Sequence, residues 1–334
     1  MNLKHTIIFA LVFMSCTVNA QDPIFTQSNN MPITLNPGFT GFEDNGRVYA
    51  GMLSRMQWPG LDLNINTQYA FVNQSFEGNR LAFGVGINAH WQRESFNNYN
   101  FFQFNVNYAQ RFRIADQWYF RPGIEVGVGN KNNRFRNLTL GDQLNINTGV
   151  INPVSVDPLG NNTRNFFFMD FSTGVVFERI ENNNDISYWF GASAKHINRP
   201  DVSFVEGENS KLDMLISLHA TYRFPFLNDD SKVLITTNYL RQGQFDRLDL
   251  GPLFQLDQFL VGVTAATNPA KNSKNRHLVT SVNGFLGMEY SSFRFGVSYD
   301  HNVSKIGNTG GVYEFSLTFL SECKYCKRNR QRKR

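Results

Sequence analysis

From Arg80 to Gln92 the chain reads RLAFGVGINAHWQ, with apolar and polar side chains taking turns. Leu81, Phe83, Val85, Ile87, Ala89 and Trp91 share one face, and Arg80, Gly84, Gly86, Asn88, His90 and Gln92 the other. A period of two belongs to a strand whose faces meet different surroundings. KLDMLISLHATYRF repeats it: Leu212, Met214, Ile216, Leu218, Ala220, Tyr222 and Phe224 fall on the apolar face, Asp213, Ser217, His219, Thr221 and Arg223 on the polar one. Segments of this kind fall at 46–57, 63–75, 80–92, 100–112, 117–129, 166–178, 186–197, 212–224, 231–241, 245–256, 258–266, 277–290, 292–302 and 311–320.

Fourteen strands is an even number, as closure of an antiparallel bacterial barrel requires. The connectors alternate too: FEGN, RIADQ, LDQ and SS are tight, whereas 130–165, 198–211, 267–276 and 303–310 are long. Short periplasmic turns and longer outer loops are the rule for outer-membrane barrels. The pattern therefore predicts an all-β, transmembrane antiparallel β-barrel over 46–320, with both termini periplasmic. On a solvated lumen face, Arg at Asn88 or Ser298 should be tolerated. On the lipid face, Arg at Phe83 or Val297 should cost ~2–4 kcal/mol near the midplane.

Composition agrees with an exported membrane strand protein. Of 334 residues 32 are Phe, and aromatics make up 14%. Residues 1–20, MNLKHTIIFALVFMSCTVNA, read as a signal peptide, with Lys4 ahead of an apolar run and Val18-Asn19-Ala20 as its exit. The run from Thr6 to Val18 is too short for a spanning helix of about 20 residues. Cys16 sits in a poor lipoprotein context, and cleavage after Ala20 is the better reading. Between the leader and the first strand, residues 21–45 carry Pro and Gly, and form either a plug in the lumen or a periplasmic segment. The long 130–165 connection reads as an external or lumen-folded loop.

Lumen-facing charges are mixed. Arg80, Arg111, Arg113, Arg121, Arg223 and Arg294 stand against Glu125, Asp170, Asp213, Asp300 and Glu314. A ladder of ion pairs fits that mixture better than a one-sign constriction selecting ions. Catalytic readings find little support: His90, His196, His219, His277 and His301 are scattered, and no nucleophile elbow accompanies them. GVGIN and GVGNK are strand glycines, with no helix following to make a phosphate cradle. No cofactor, metal site or enzymatic activity is expected.

Several short blocks together carry a resemblance: DPIFTQ (22–27), NPGFTG (36–41), RMQWPG (55–60), KHINRPDVSF (195–204) and SYDHNVSKIGNTGGVYEFSLTF (298–319). In this order, in a signal-bearing barrel, they resemble the PorP/SprF family of the type IX secretion system. Gly38 stands where that family has Ala. The resemblance implies an outer-membrane barrel, set among outer-membrane lipids, that supports secretion or display of adhesins, gliding adhesins included. It implies as partners cargo with a C-terminal sorting domain and periplasmic lipoprotein-ring components. The alternative function is a diffusion channel for solutes or fatty acids.

Beyond Leu320 the resemblance ends, and residues 321–334 form a basic tail expected in the periplasm. Lys324, Lys327, Arg328, Arg330, Arg332, Lys333 and Arg334 are seven positive charges, more than the net +5 of the whole chain. An exported tail meets no nucleic acid, so an acidic partner such as a ring lipoprotein or peptidoglycan carboxylates is the candidate. Cys323 and Cys326 supply two of the four ligands that a zinc site needs; in an oxidising compartment they point to a local disulfide.

Overall fold

The computed structural model describes residues 22–42, 46–61, 64–77, 81–96, 98–132, 139–145, 148–156, 165–181, 185–204, 207, 209–226, 228–269, 279–304 and 309–321. Among them fourteen antiparallel strands close into one barrel, β1 pairing with β14. They are β1 Val48–Gln57, β2 Ile65–Glu77, β3 Ala82–Glu94, β4 Tyr99–Ala115, β5 Trp118–Asn132, β6 Asn165–Glu181 and β7 Asp185–Lys195. The second half comprises β8 Leu215–Phe226, β9 Asn228–Gln242, β10 Phe245–Leu256, β11 Phe259–Thr267, β12 Ser281–Tyr290, β13 Phe293–Asn302 and β14 Val312–Leu320. Every strand expected from the alternation is present.

The pleat sorts side chains as the pattern requires. On β4, Phe102, Phe104 and Val106 point outward and are exposed, while Gln103, Asn105 and Asn107 between them are buried. On β13, Val297 is outward and Ser298 inward, at 47% and 2% exposure. Aromatic rows edge the apolar band, as barrels place them at membrane interfaces. Trp118, Tyr188 and Tyr222 meet in turn, edge to face at 5.3 Å and tilted at 5.9 Å, along one edge. Tyr299 and Tyr313, 4.8 Å apart, mark the other.

The connections β2–β3, β4–β5, β6–β7, β8–β9, β10–β11 and β12–β13 share one end of the barrel with the start of β1 and the close of β14. All are four residues or fewer; this is the turn end. Two-residue links such as Asp257–Gln258 and Ser291–Ser292 put Asp257 and Ser291 at φ +54° and +56°, the left-handed backbone that tight hairpins need. The loop end carries the long connections together with two short ones, the four-residue link 95–98 and the tight turn Gly243–Gln244.

Two expected features differ. Leu212 and Asp213 precede β8 instead of opening it. The β7–β8 connection folds over the mouth, so Leu212 is buried against Val202, Phe101 and Phe168, and Asp213 pairs with Arg199 at 3.0 Å. Arg113 keeps the inward phase but lies at the turn-end rim beside a bulge in β4, 62% exposed and paired with Asp116. Arg80 lies outside the described residues.

The lumen as candidate functional site

Residues 22–42 run through the barrel. Two short 3₁₀ turns, Pro32–Thr34 and Pro37–Phe39, each begin with Pro, whose fixed φ suits a first helical position. Asn36 caps the second, its Oδ1 accepting from the Gly38 N–H at 2.8 Å. Met31, Ile33, Asn36, Phe39 and Thr40 are at most 2% exposed. Two apolar clusters hold the segment: Met31 and Ile33 with Leu53, Tyr69 and Phe71, and Leu35 with Leu215 and Leu240.

The direction of travel follows from the partners. The Asp22 N–H donates to Oε1 of Gln242, the last residue of β9, at 2.8 Å. The Asp22 carboxylate meets His196, which follows β7 directly. Both places are at the loop end. Further along the segment, Thr40 and Gly41 touch Arg121 near the start of β5, and the Gly46 N–H donates to Ser75 near the close of β2. Those are at the turn end. Asp22 and Ser321 therefore lie at opposite ends of the barrel. A shared side for both ends follows from an even strand count only when nothing threads the lumen ahead of β1.

Three grips stand out among the polar contacts. At the loop end, His196 lies between carboxylates: Nε2 faces Asp22, and Nδ1 faces Asp170 at 2.9 Å. Two acceptors on two ring nitrogens require the imidazolium. Burial opposes that charge, but the two carboxylates outweigh it and raise His196 from 6.5 to about 10. Burial alone would raise the Asp22 carboxyl, yet His196 holds it well below the usual carboxylate range.

In the middle, the wholly buried Glu314 of β14 pairs with Arg55 of β1 at 2.6 Å. Its two oxygens also accept the successive N–H groups of Thr26 and Gln27, each at 3.0 Å. The Gln27 amide donates to Ser298 Oγ and to the Glu314 carbonyl. A carboxylate with a guanidinium and two amides has its buried charge satisfied. The same residue closes the β1–β14 seam and anchors the segment.

At the turn end, Arg121 donates to the carbonyls of Gly38, Thr40 and Gly41 at 3.3, 3.1 and 2.7 Å. Glu178, fully buried, balances Arg121 and Arg111 at 3.5 and 2.7 Å. Asn36 Nδ2 lies 3.0 Å from the carbonyls of Val175 and Ala192 and from His219 Nε2. Here the wall offers glycine: a Cβ on Gly84 would sit 2.2 Å from the Thr40 carbonyl oxygen, and one on Gly123 2.4 Å from the Gly38 nitrogen. A cavity of about 60 Å³ remains near the loop end, edged by Asp22, His90, Glu125 and Lys195 and also by Ile24 and Leu35.

Of the expected lumen charges, Arg121, Glu125, Asp170, Asp300 and Glu314 are buried inward, and Arg111 is half-buried against Glu178. Arg294 pairs with Glu289 near the turn end. Sequence reasoning did not group Asp22, Arg55, Glu178 and His196, although the apolar content of 22–42 was a signal that this stretch has a core to join. The tail residues Lys324, Lys327, Arg328, Arg330, Arg332, Lys333 and Arg334, with Cys323 and Cys326, lie outside the described residues, as does the leader.

A closed antiparallel barrel with an apolar outer belt, aromatic edges and a polar interior defines an outer-membrane β-barrel, here with an occupied lumen. The chain matches the family model for the type IX secretion system membrane protein PorP/SprF over residues 17–319, and it belongs to that family. No curated protein matches it. Among solved structures it is similar to the outer membrane protein Omp33 of Acinetobacter baumannii, at 7% identity and TM-score 0.46, covering 83% of this chain and 98% of that one. It is also similar to a deletion mutant of the monoaromatic hydrocarbon channel TodX, at 9% and 0.49, covering 86% and 92%. The translocator domain of the autotransporter NalP from Neisseria meningitidis gives 10% and 0.38, with 88% and 94% covered.

The blocks that carry the family resemblance meet in the lumen. DPIFTQ supplies Asp22, Thr26 and Gln27; NPGFTG supplies Asn36 and the carbonyls bound by Arg121. RMQWPG supplies Arg55, KHINRPDVSF supplies His196, and the last block supplies Ser298 and Glu314. Far apart in sequence, they are the segment and its receptors.

Proposed function

We propose that this barrel is a component of the type IX secretion machinery that supports the secretion or surface display of adhesins, such as gliding adhesins, as a closed scaffold and not as an open pore. The observation that carries the closed-scaffold part is the lumen itself, filled from loop end to turn end by residues 22–42. In this reading the leader is cleaved after Ala20 and the long loops face outward, following the usual rule for such barrels. The C-terminal tail then faces the periplasm, where its basic residues dock on a ring lipoprotein or on peptidoglycan carboxylates. The cargo carries a C-terminal sorting domain. In this reading catalysis forms no part of the role, which is supported at His196, where both ring nitrogens face carboxylates and neither is left to activate a nucleophile.

Two measurements test this. Deleting the gene should abolish appearance of the adhesin on the cell surface, and the purified barrel in a planar bilayer should not conduct steadily. A steady ohmic pore together with normal adhesin display would instead favour a diffusion channel.

A further inference from the structure

We infer that the amino end of the threaded segment is presented at the loop-side mouth, on the opposite side of the membrane from the chain that continues past Ser321. The inference rests on the course of residues 22–42 and, for naming the side, on the outward orientation of the long loops proposed above.

The course is over-determined. Asp22 is bound by Gln242 and His196, which sit where β9 and β7 reach the loop end. Thr26 and Gln27 meet Glu314, third residue of β14, a strand that begins at the loop end. Gly38, Thr40 and Gly41 meet Arg121, fourth residue of β5, a strand that begins at the turn end. The path between them doubles back, Asn30 meeting Tyr49 near the turn-end start of β1 and Thr34 and Leu35 returning to Lys195 and Leu215 at the loop end, but Asp22 and the stretch from Gly38 to Gly41 are held at opposite ends. Asp22, the first described residue, thus stands at the mouth beside the β7–β8 connection.

The β7–β8 connection begins at His196, and Val202 and Leu212 from it pack on Phe101 and Phe168 of the wall. His196 thus belongs both to the cover of the mouth and to the clasp on Asp22.

The test uses the full chain in cells, with Cys323 and Cys326 changed to Ser. Pro23→Cys is combined with Gln242→Cys at the loop end or with Ser75→Cys at the turn end, and a short bis-maleimide is applied. A bridge with Gln242→Cys and none with Ser75→Cys is expected; the reverse overturns the threading. Separately, an epitope on a flexible linker is placed ahead of Asp22, and another after Gly149 in the β5–β6 connection. Both should bind antibody on intact cells, equally and without permeabilisation. If the epitope after Gly149 is reached and the one ahead of Asp22 is reached only after permeabilisation, the inference is wrong while the orientation stands. If both are shielded but the loop-end bridge forms, the orientation is wrong, and surface presentation falls with it.

Discussion

The two ends of the threaded segment are held by different chemistry. At the loop end the hold centres on a side-chain pair, Asp22 on His196 with Asp170 behind, beside the Asp22 N–H on Gln242. At the turn end it is the backbone that is held, its carbonyls on Arg121 and its path pressed against Gly84 and Gly123. A side-chain clasp can be opened by one proton or one substitution without moving the wall. A backbone bed cannot be, because the wall was shaped with no side chain there. The segment therefore has a releasable end and a fixed end, and the releasable one is at the loops.

The largest effect should come from the fixed end. Arg121→Ala leaves three buried carbonyls without their donor and Glu178 with one guanidinium fewer, a loss of about 3–5 kcal/mol by analogy with broken buried pairs. Heat-modifiable gel migration should shift to lower temperature, and the otherwise silent barrel should show intermittent conductance. A silent barrel with an unchanged transition would mean that Arg121 does not hold the segment.

The two faces of β13 sharpen the point. Val297→Arg should cost ~2–4 kcal/mol by placing charge in the lipid belt. Polar alternation alone would make Ser298→Arg harmless, as for any solvated lumen. Ser298 instead touches Thr26 and Gln27, so Ser298→Arg should eject the segment, seen as protease cleavage within 22–42 while the barrel still migrates as folded. Full protease resistance in this variant would return the lumen to a solvated one.

A smaller effect, about 1–3 kcal/mol of overpacking, is expected for Gly84→Ala, whose Cβ would meet the Thr40 carbonyl. Gly141→Ala is the control, since nothing lies within 4 Å of a Cβ there. Equal thermal transitions for the two variants would show that the backbone bed yields to a methyl group.

How much of this was legible in the sequence divides along the same line. The barrel wall was, because a strand between lipid and a polar interior writes its two faces as a period of two, and fourteen such stretches stand in the chain. What the polar face touches was not. Asn88 and Ser298 read the same whether they face water or a buried peptide, since both surroundings select small polar side chains. Inward glycines such as Gly84 read as pauses in a strand, whereas they mark the approach of a second backbone. Pairings such as Arg55 with Glu314, or Asp22 with His196, join residues more than 170 positions apart, and alternation carries no signal for them. Leu212 was misplaced for a related reason: a loop that folds inward continues the apolar pattern of the strand it feeds.

The smallest expected effect is also the most selective. His196 is raised from 6.5 to about 10 in the folded protein, so the stability it lends the clasp is complete below pH 6.5 and is lost as pH rises toward 10. Asp22, held below its ordinary value of 3.8, contributes in the opposite sense: its share is present above that value and lost as pH falls beneath it. The clasp should be firmest between these limits, from about pH 4 to 6.5. Hydrogen exchange provides the reading, as the protection factors of the Asp22 and Thr26 amides against those of Gly38 and Thr40. Between pH 6.5 and 10 the first pair should lose protection and the second should not. In His196→Gln, with no imidazolium to titrate, the first pair should be weakly protected and flat over that range. Protection that declines together at both ends, or that still falls with pH in His196→Gln, would show that the segment is released as one body and that its loop end has no clasp of its own.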